Sequence, residues 1–146
     1  MADAATPVEF LIVQADAADS RVTREAFEYY EFRNGAHITE NADVALTTLM
    51  RAASSTGSPA AWLVMLDLDL PDAGGRDLLR RLRADPRTAE VPVILLVRSS
   101  AQERLLRAED LPVQGYARKP ADFDAVACAV RCIDSLSVAA WRGTGL

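Results

Sequence analysis

The run VMLDLDLPD, Val64 to Asp72, is apolar until it meets three aspartates, Asp67, Asp69 and Asp72. A carboxylate at the end of a greasy segment sits at the edge of a core, where it can serve as a nucleophile instead of a solvated surface charge. A second apolar run, VQGYA, leads to Lys119 immediately before Pro120. An aspartate and a lysine brought together from such ends make one of two things. The plain one is a structural ion pair; the sharper one is a nucleophilic carboxylate beside a phosphate-binding cation.

Which of these applies depends on the elements that carry them. Five short apolar runs stand out: Glu9–Val13, Ala36–Thr39, Ala61–Leu66, Val91–Val97 and Val113–Ala117. Three are continuous rather than alternating, as strands buried on both faces must be. Helical spacing appears between them. Arg21–Tyr30 carries Val22, Ala26, Phe27 and Tyr30; Val44, Leu46, Leu49 and Met50 mark a second helix. Leu78, Leu79 and Leu82 mark a third, ended by Ala84–Pro86, and Leu105, Leu106 and Ala108 a fourth, stopped by Pro112. Val126, Val130 and Ile133 mark a fifth, expected to be the longest. Alternating strands and helices predict an α/β fold, a flavodoxin-like doubly wound (βα)₅ parallel sheet of strand order 2-1-3-4-5. Such folds build their sites at the carboxyl ends of the strands, near the switch point between strands 1 and 3. The Pro71–Gly75 stretch, with Asp72, reads as a turn into helix 3.

The chain has 146 residues, one domain's worth, and half are hydrophobic, enough for a core without cross-links. Sixteen basic against 21 acidic residues leave a net charge of −5, which argues against a nucleic-acid or membrane surface. No apolar run approaches the roughly 20 residues of a membrane span, and the N-terminus lacks the basic start of a signal peptide; a cytoplasmic protein is expected. Cys128 and Cys132 lie one helical turn apart, about 6 Å between Cα atoms and so at the edge of disulfide range. They read as small apolar residues, buried or at an interface. The lone His37 reads as a surface residue.

At the strand ends, strand 1 closes with Gln14, Ala15 and Asp16, strand 3 with Asp67 and Asp69, strand 4 with Val97, Arg98 and Ser99, and strand 5 with Lys119. Here the sequence resembles the receiver domain of two-component response regulators, from about Phe10 to Ile133. LVMLDLDLP, DLLRRLRADPRTAEVPVILL and GYARKPADFDA carry the likeness. Their wording is most similar to the single-domain regulators that partner bacterial phytochromes. The resemblance implies a phosphoacceptor at Asp67, a phosphoryl-contacting lysine at Lys119, a switch aromatic at Tyr116 and a backbone carbonyl at Asp69 that helps hold Mg²⁺. It also implies a receiver domain over residues 8–136 and a tail, 137–146, that serves as an interface arm.

Two positions depart from that pattern. Receivers close strand 1 with two metal-binding acids, where this chain has Gln14 and Ala15. They close strand 4 with a threonine or serine, where this chain has Val97. Asp16 is a poor substitute ligand, because it is placed to cap the first helix. Asp67 and Lys119 are therefore expected to form a preassembled, nearly neutral pair, with no cofactor required and Mg²⁺ left without its carboxylates. Val97 is expected to pack against Tyr116 and hold it in one state. Asp69 is expected to point away from Asp67, since alternate residues share a face only while the strand lasts.

The function expected is that of an atypical receiver, or pseudo-receiver, acting through protein contacts and not turning over a substrate. Its partners would be a sensor histidine kinase or another signalling protein and a second copy of itself. Leu105 and Leu106 are read as ordinary core, Cys132 and Trp141 as interface residues. The alternative is a phosphate-accepting regulator using Asp67. More remote is a DxD phosphatase of the haloacid dehalogenase kind, whose motif closes the first strand and not the third.

Overall fold

β4, Val93–Val97, reads VILLV, and all five side chains are buried. A strand can be apolar at every position only if both its faces are covered. The structure, a computed structural model, describes residues 8–29, 36–54 and 61–133, and covers both faces of the sheet with helices. β1 is Val8–Val13, α1 Ala17–Tyr29, β2 Ala36–Thr39, α2 Ala42–Ser54 and β3 Ala61–Asp67. After a 3₁₀ turn at Pro71–Ala73 come α3 Gly74–Ala84, β4, α4 Ser100–Ala108, β5 Gly115–Arg118 and α5 Phe123–Arg131. The five strands are parallel in the order β2-β1-β3-β4-β5, the doubly wound sheet expected from the alternation.

The two-residue period of the strands divides the core. Leu11, Val13, Val64, Leu66, Val93, Leu95 and Val97 face Ala45 and Leu49 of α2, Leu78, Leu79 and Leu82 of α3, and Leu106 of α4. Phe10, Ile12, Leu63, Met65, Ile94 and Leu96 face Phe27 of α1 and Ala125, Val126 and Ala129 of α5. Each side chain fully removed from water contributes roughly 1.5–3 kcal/mol, so both layers hold the sheet in one register.

Local chemistry sets the helix ends. Asp16 Oδ1 accepts from the N–H groups of Ala18 and Asp19 (2.8 and 3.1 Å), so α1 begins four residues before the apolar spacing suggested. Asn41, Ser99 and Asp122 cap α2, α4 and α5 in the same way. α3 has no side-chain cap; Asp72 and Ala73, both with φ of 59°, turn the chain into it. This makes the Pro71–Gly75 stretch a 3₁₀ turn followed by the first helical turn.

Several expected boundaries move. β4 starts at Val93, not Val91, because Pro92 has no N–H for the ladder and Val91 N–H bonds back to Thr88 O at 3.1 Å. β5 runs Gly115–Arg118, since Val113 N–H is drawn to Leu111 O at 2.8 Å. α5 ends at Arg131 after nine residues and is shorter than α1 and α2, of thirteen each. Leu105 is 70 % exposed, not core: adjacent residues on a helix point about 100° apart, and only Leu106 meets the sheet. Tyr30, the tail 137–146 and Trp141 lie outside the described residues. Among the described residues, no helix is long and apolar enough to cross a membrane.

Candidate functional site at the carboxyl edge of the sheet

The ends of β3 and β5 bring Asp67 and Lys119 together across β4. Asp67 is 4 % exposed. Its Oδ1 accepts the Asp69 N–H at 2.8 Å, and its Oδ2 accepts from Lys119 Nζ at 2.8 Å. The lysine side chain is itself only 15 % exposed, so the pair is a largely desolvated, charge-assisted bond. Gly75, in the first turn of α3, lets the chain close over it. A Cβ there would lie 2.7 Å from Leu68 Cα and 2.8 Å from the Asp67 carbonyl oxygen.

Asp69 does not turn away as the strand alternation suggested. Once β3 ends at Asp67 the chain bends, and the Asp69 carboxylate comes back over the site. Its Oδ2 lies 3.7 Å from Lys119 Nζ and accepts from Arg98 Nη1, with Gln102 Nε2 at 3.4 Å. Arg98, named in the sequence only as one of the residues closing strand 4, and Gln102, which was not singled out, come from the β4–α4 corner. Separated from Asp69 by a whole helix and strand, they meet it only because β4 lies next to β3.

At the end of β1, Gln14 is 1 % exposed and turned toward α1. Its Nε2 donates to Thr23 Oγ1 at 3.0 Å, and the threonine hydroxyl donates to Asp19 O at 3.0 Å. Gln14 Oε1 is buried with no hydrogen-bond partner among the described residues. Ala15 contributes only a methyl group to the apolar layer, and Asp16 is occupied with capping α1. Asp19, another residue the sequence did not single out, lies close enough to feel the site. Its carboxyl is pushed up chiefly by burial and then by Asp16, with Lys119 pulling it down and Asp67 raising it.

Mg²⁺ requires several hard oxygen ligands, usually including carboxylates. Here the strand ends offer one neutral amide oxygen, the Asp67 carboxylate with both oxygens engaged, the Asp69 carboxylate paired with Arg98 and Lys119, the Asp16 carboxylate engaged in capping α1, and a backbone carbonyl. Among the described residues, no three carboxylate, imidazole or thiol side chains gather where they could hold a metal ion. These residues do not fit the Mg²⁺ site that the resemblance implied.

Val97 is fully buried, and both it and Tyr116 belong to the apolar layer under α4. Tyr116 is also gripped from outside, with the Arg107 guanidinium 4.4 Å from its ring centre. Burial pushes its phenol up, with Arg107 pulling it back. Arg118, two residues past Tyr116 on β5, bonds Ser100 Oγ at 2.9 Å. Cys128 and Cys132 are free, the first half-buried and the second exposed at the end of α5. Both lie over β5: Cys128 Sγ is 3.7 Å from Tyr116 O, and a Cβ on Gly115 would come 2.7 Å from Cys132 Sγ. His37 is exposed on β2, 2.9 Å from Glu9 Oε1 and beside the Trp62 ring.

Fold and site together define a flavodoxin-like α/β protein with a buried aspartate–lysine centre at the carboxyl edge of its sheet. Residues 10–131 match the family model for the response regulator receiver domain. The response regulator Rcp1 of Synechocystis sp. is 26 % identical over 136 residues, 92 % of each chain. The solved bacteriophytochrome response regulator RtBRR is 26 % identical, with a TM-score of 0.70 over 90 % of this chain and 79 % of that one. The bacteriophytochrome response regulator AtBRR, at 24 % identity, shares the fold with a TM-score of 0.73 over 92 % of this chain and 96 % of its own. The chain belongs to the response regulator receiver domain family, the signalling modules of two-component systems. That assignment displaces the DxD phosphatase reading, as does the placing of the motif at the end of the third strand.

Proposed function

We propose that this chain is an atypical receiver of the phytochrome-partner kind, a signalling module that works through protein contacts with little or no Mg²⁺-dependent phosphorylation. The observation that carries the reading is the 2.8 Å bond between buried Asp67 and Lys119 beside a strand end that offers Gln14 and Ala15 in place of two acids. A complete receiver crowds several carboxylates together, and their repulsion loads the empty site. Here Lys119 compensates the central carboxylate without a metal ion. Val97 offers no hydroxyl to a phosphoryl group, and Tyr116 is held from outside by Arg107.

The partners are a sensor histidine kinase or another signalling protein, and a second copy of the chain, in the cytoplasm. The receiver spans residues 8–136, and the tail 137–146 with Trp141 works as an interface arm. The dimer surface is the α4–β5–α5 face, where Leu105 and Cys132 are exposed. Light scattering tests this: a chain ending at Ser135 is expected to be monomeric where the full chain is dimeric.

The second reading, a regulator that accepts a phosphoryl group on Asp67, is favoured by the retention of that carboxylate and its lysine. Intact mass after acetyl phosphate, with and without Mg²⁺, separates the two. An Mg²⁺-dependent gain of one phosphoryl mass, lost in Asp67→Asn, overturns the first reading. So does saturable binding of millimolar Mg²⁺ seen in amide NMR shifts.

A further inference from the structure

Two thiols meet at the end of α5, far from the aspartate–lysine pair. Cys128 and Cys132 lie one helical turn apart on the side of α5 that packs on β5, and they are hydrogen-bonded to each other. Cys128 Sγ sits 3.7 Å from the Tyr116 carbonyl oxygen. Cys132 Sγ fills the space that Gly115 leaves, since a Cβ there would lie 2.7 Å from it. Both sulfurs therefore rest on neighbouring residues of one strand. Cys128 is half-buried and Cys132 exposed, so the pair has an inner and an outer member.

What such a pair can hold is set by softness and by the number of donors. Thiolate sulfur selects soft ions. Ca²⁺ and Mg²⁺ are hard and take oxygen. Zn²⁺ in a closed site takes a full tetrahedron of ligands, and among the described residues no third carboxylate, imidazole or thiol joins the two cysteines. Copper(I), with a filled d shell and a single charge, is satisfied by two sulfurs. A disulfide is the rival product. It requires the sulfurs to close to about 2.05 Å, which would pull them from their places on β5, whereas a bridging ion leaves them apart. The helix end can adjust to the ion. Cys132 is the C-cap, and its N–H bonds Ala129 O at 3.1 Å in a tightened last turn. Charge fits as well. Loading one copper(I) releases two protons, one from each thiol, and leaves a bis-thiolate complex with one net negative charge. Arg107 and Arg131 both lie near enough to Cys132 to favour that charge.

We propose that Cys128 and Cys132 form a two-coordinate copper(I) site, independent of the aspartate–lysine centre. Both donors come from one helix, so each chain holds its own ion, although Cys132 lies on the face assigned above to the dimer. Loading ties the last turn of α5 to the strand that carries Tyr116.

The full chain, reduced and kept under nitrogen, is titrated with copper(I) as its acetonitrile complex in competition with bicinchoninate, and the loaded protein is weighed by native mass spectrometry. One ion per chain is expected, with amide NMR shifts centred on Gly115, Tyr116, Cys128 and Cys132. Cys128→Ser and Cys132→Ser, both nearly isosteric, are each expected to lower affinity at least about a hundredfold, since even a residue that only hydrogen-bonds a metal ligand is worth about 10–100-fold. Failure to take copper from bicinchoninate, displacement by equimolar Zn²⁺, or affinity unchanged in either serine variant overturns the proposal. One ion per two chains, kept in Cys128→Ser, would place the metal between the Cys132 thiols of paired copies and overturns the single-helix site. None of these outcomes bears on the metal-free reading of Asp67, which the acetyl phosphate measurement decides.

Discussion

Replacing Lys119 with methionine keeps the length of the side chain and removes the charge that compensates Asp67. The carboxylate left behind is 4 % exposed, and stripping one partner from a buried pair costs about 3–5 kcal/mol. Two features reduce the figure. Asp67 Oδ1 keeps the Asp69 N–H at 2.8 Å, and the lysine end of the site is open enough, at 15 %, for water to enter. The expected loss is about 3 kcal/mol, a fall in Tm of about 10 °C for a domain of this size. Urea denaturation monitored by circular dichroism, with a thermal melt, measures it. The double substitution Lys119→Met with Asp67→Leu removes the stranded charge and is expected to return to within about 1 kcal/mol of the parent. A Lys119→Met protein within about 0.5 kcal/mol of the parent would refute the reasoning, because it would mean that the pair is not needed to neutralise a buried charge.

Gly75→Ala would place a methyl within 2.8 Å of the backbone at Asp67 and Leu68; a loss of about 1–3 kcal/mol in urea titration, with shifts in the Asp67 and Asp69 amides, is expected. The Asp19 carboxyl is raised above its ordinary 3.8, chiefly by burial, so the folded chain binds more protons than the unfolded one above that pH and loses stability as pH rises through the window. Asp19→Asn should therefore stabilise the protein at neutral pH, with the gain vanishing below pH 3.8, as melts across pH would show. Burial, reinforced by Cys128, pushes the Cys132 thiol up. Although exposed, it should react with a disulfide reagent more slowly at neutral pH than a free thiol and accelerate steeply under alkaline conditions.

The strands were legible because burial on both faces leaves no polar alternative: FLIV in β1 and VILLV in β4 could hardly be anything else. Asp67 and Lys119 were legible because each closes such a run, so topology alone brings them together. Arg98 was not. Its partner Asp69 is distant in sequence, and nothing in RSSAQ shows which way an exposed arginine turns. Leu105 was misread because two adjacent leucines both satisfy a loose helical pattern, while the sheet has room for only one. The early start of α1 lay in Asp16, whose capping role was visible although the helix was drawn from its apolar stripe. The register of β5 depended on where the Leu111–Gln114 turn spent its N–H groups, which composition does not record.

The place of β1 in the sheet also bears on how the chain comes off the ribosome. Phe10 is bonded on one side opposite Ala36 and on the other opposite Leu63. At roughly 5–20 residues per second, about 1–5 seconds of synthesis separate the two partners. Through that interval FLIV has one edge paired at most, and an unpaired apolar edge is a template for another chain. Nascent chains stalled before Ala61 are thus the form of this protein most in need of a chaperone, and the arrival of β3 ends that exposure.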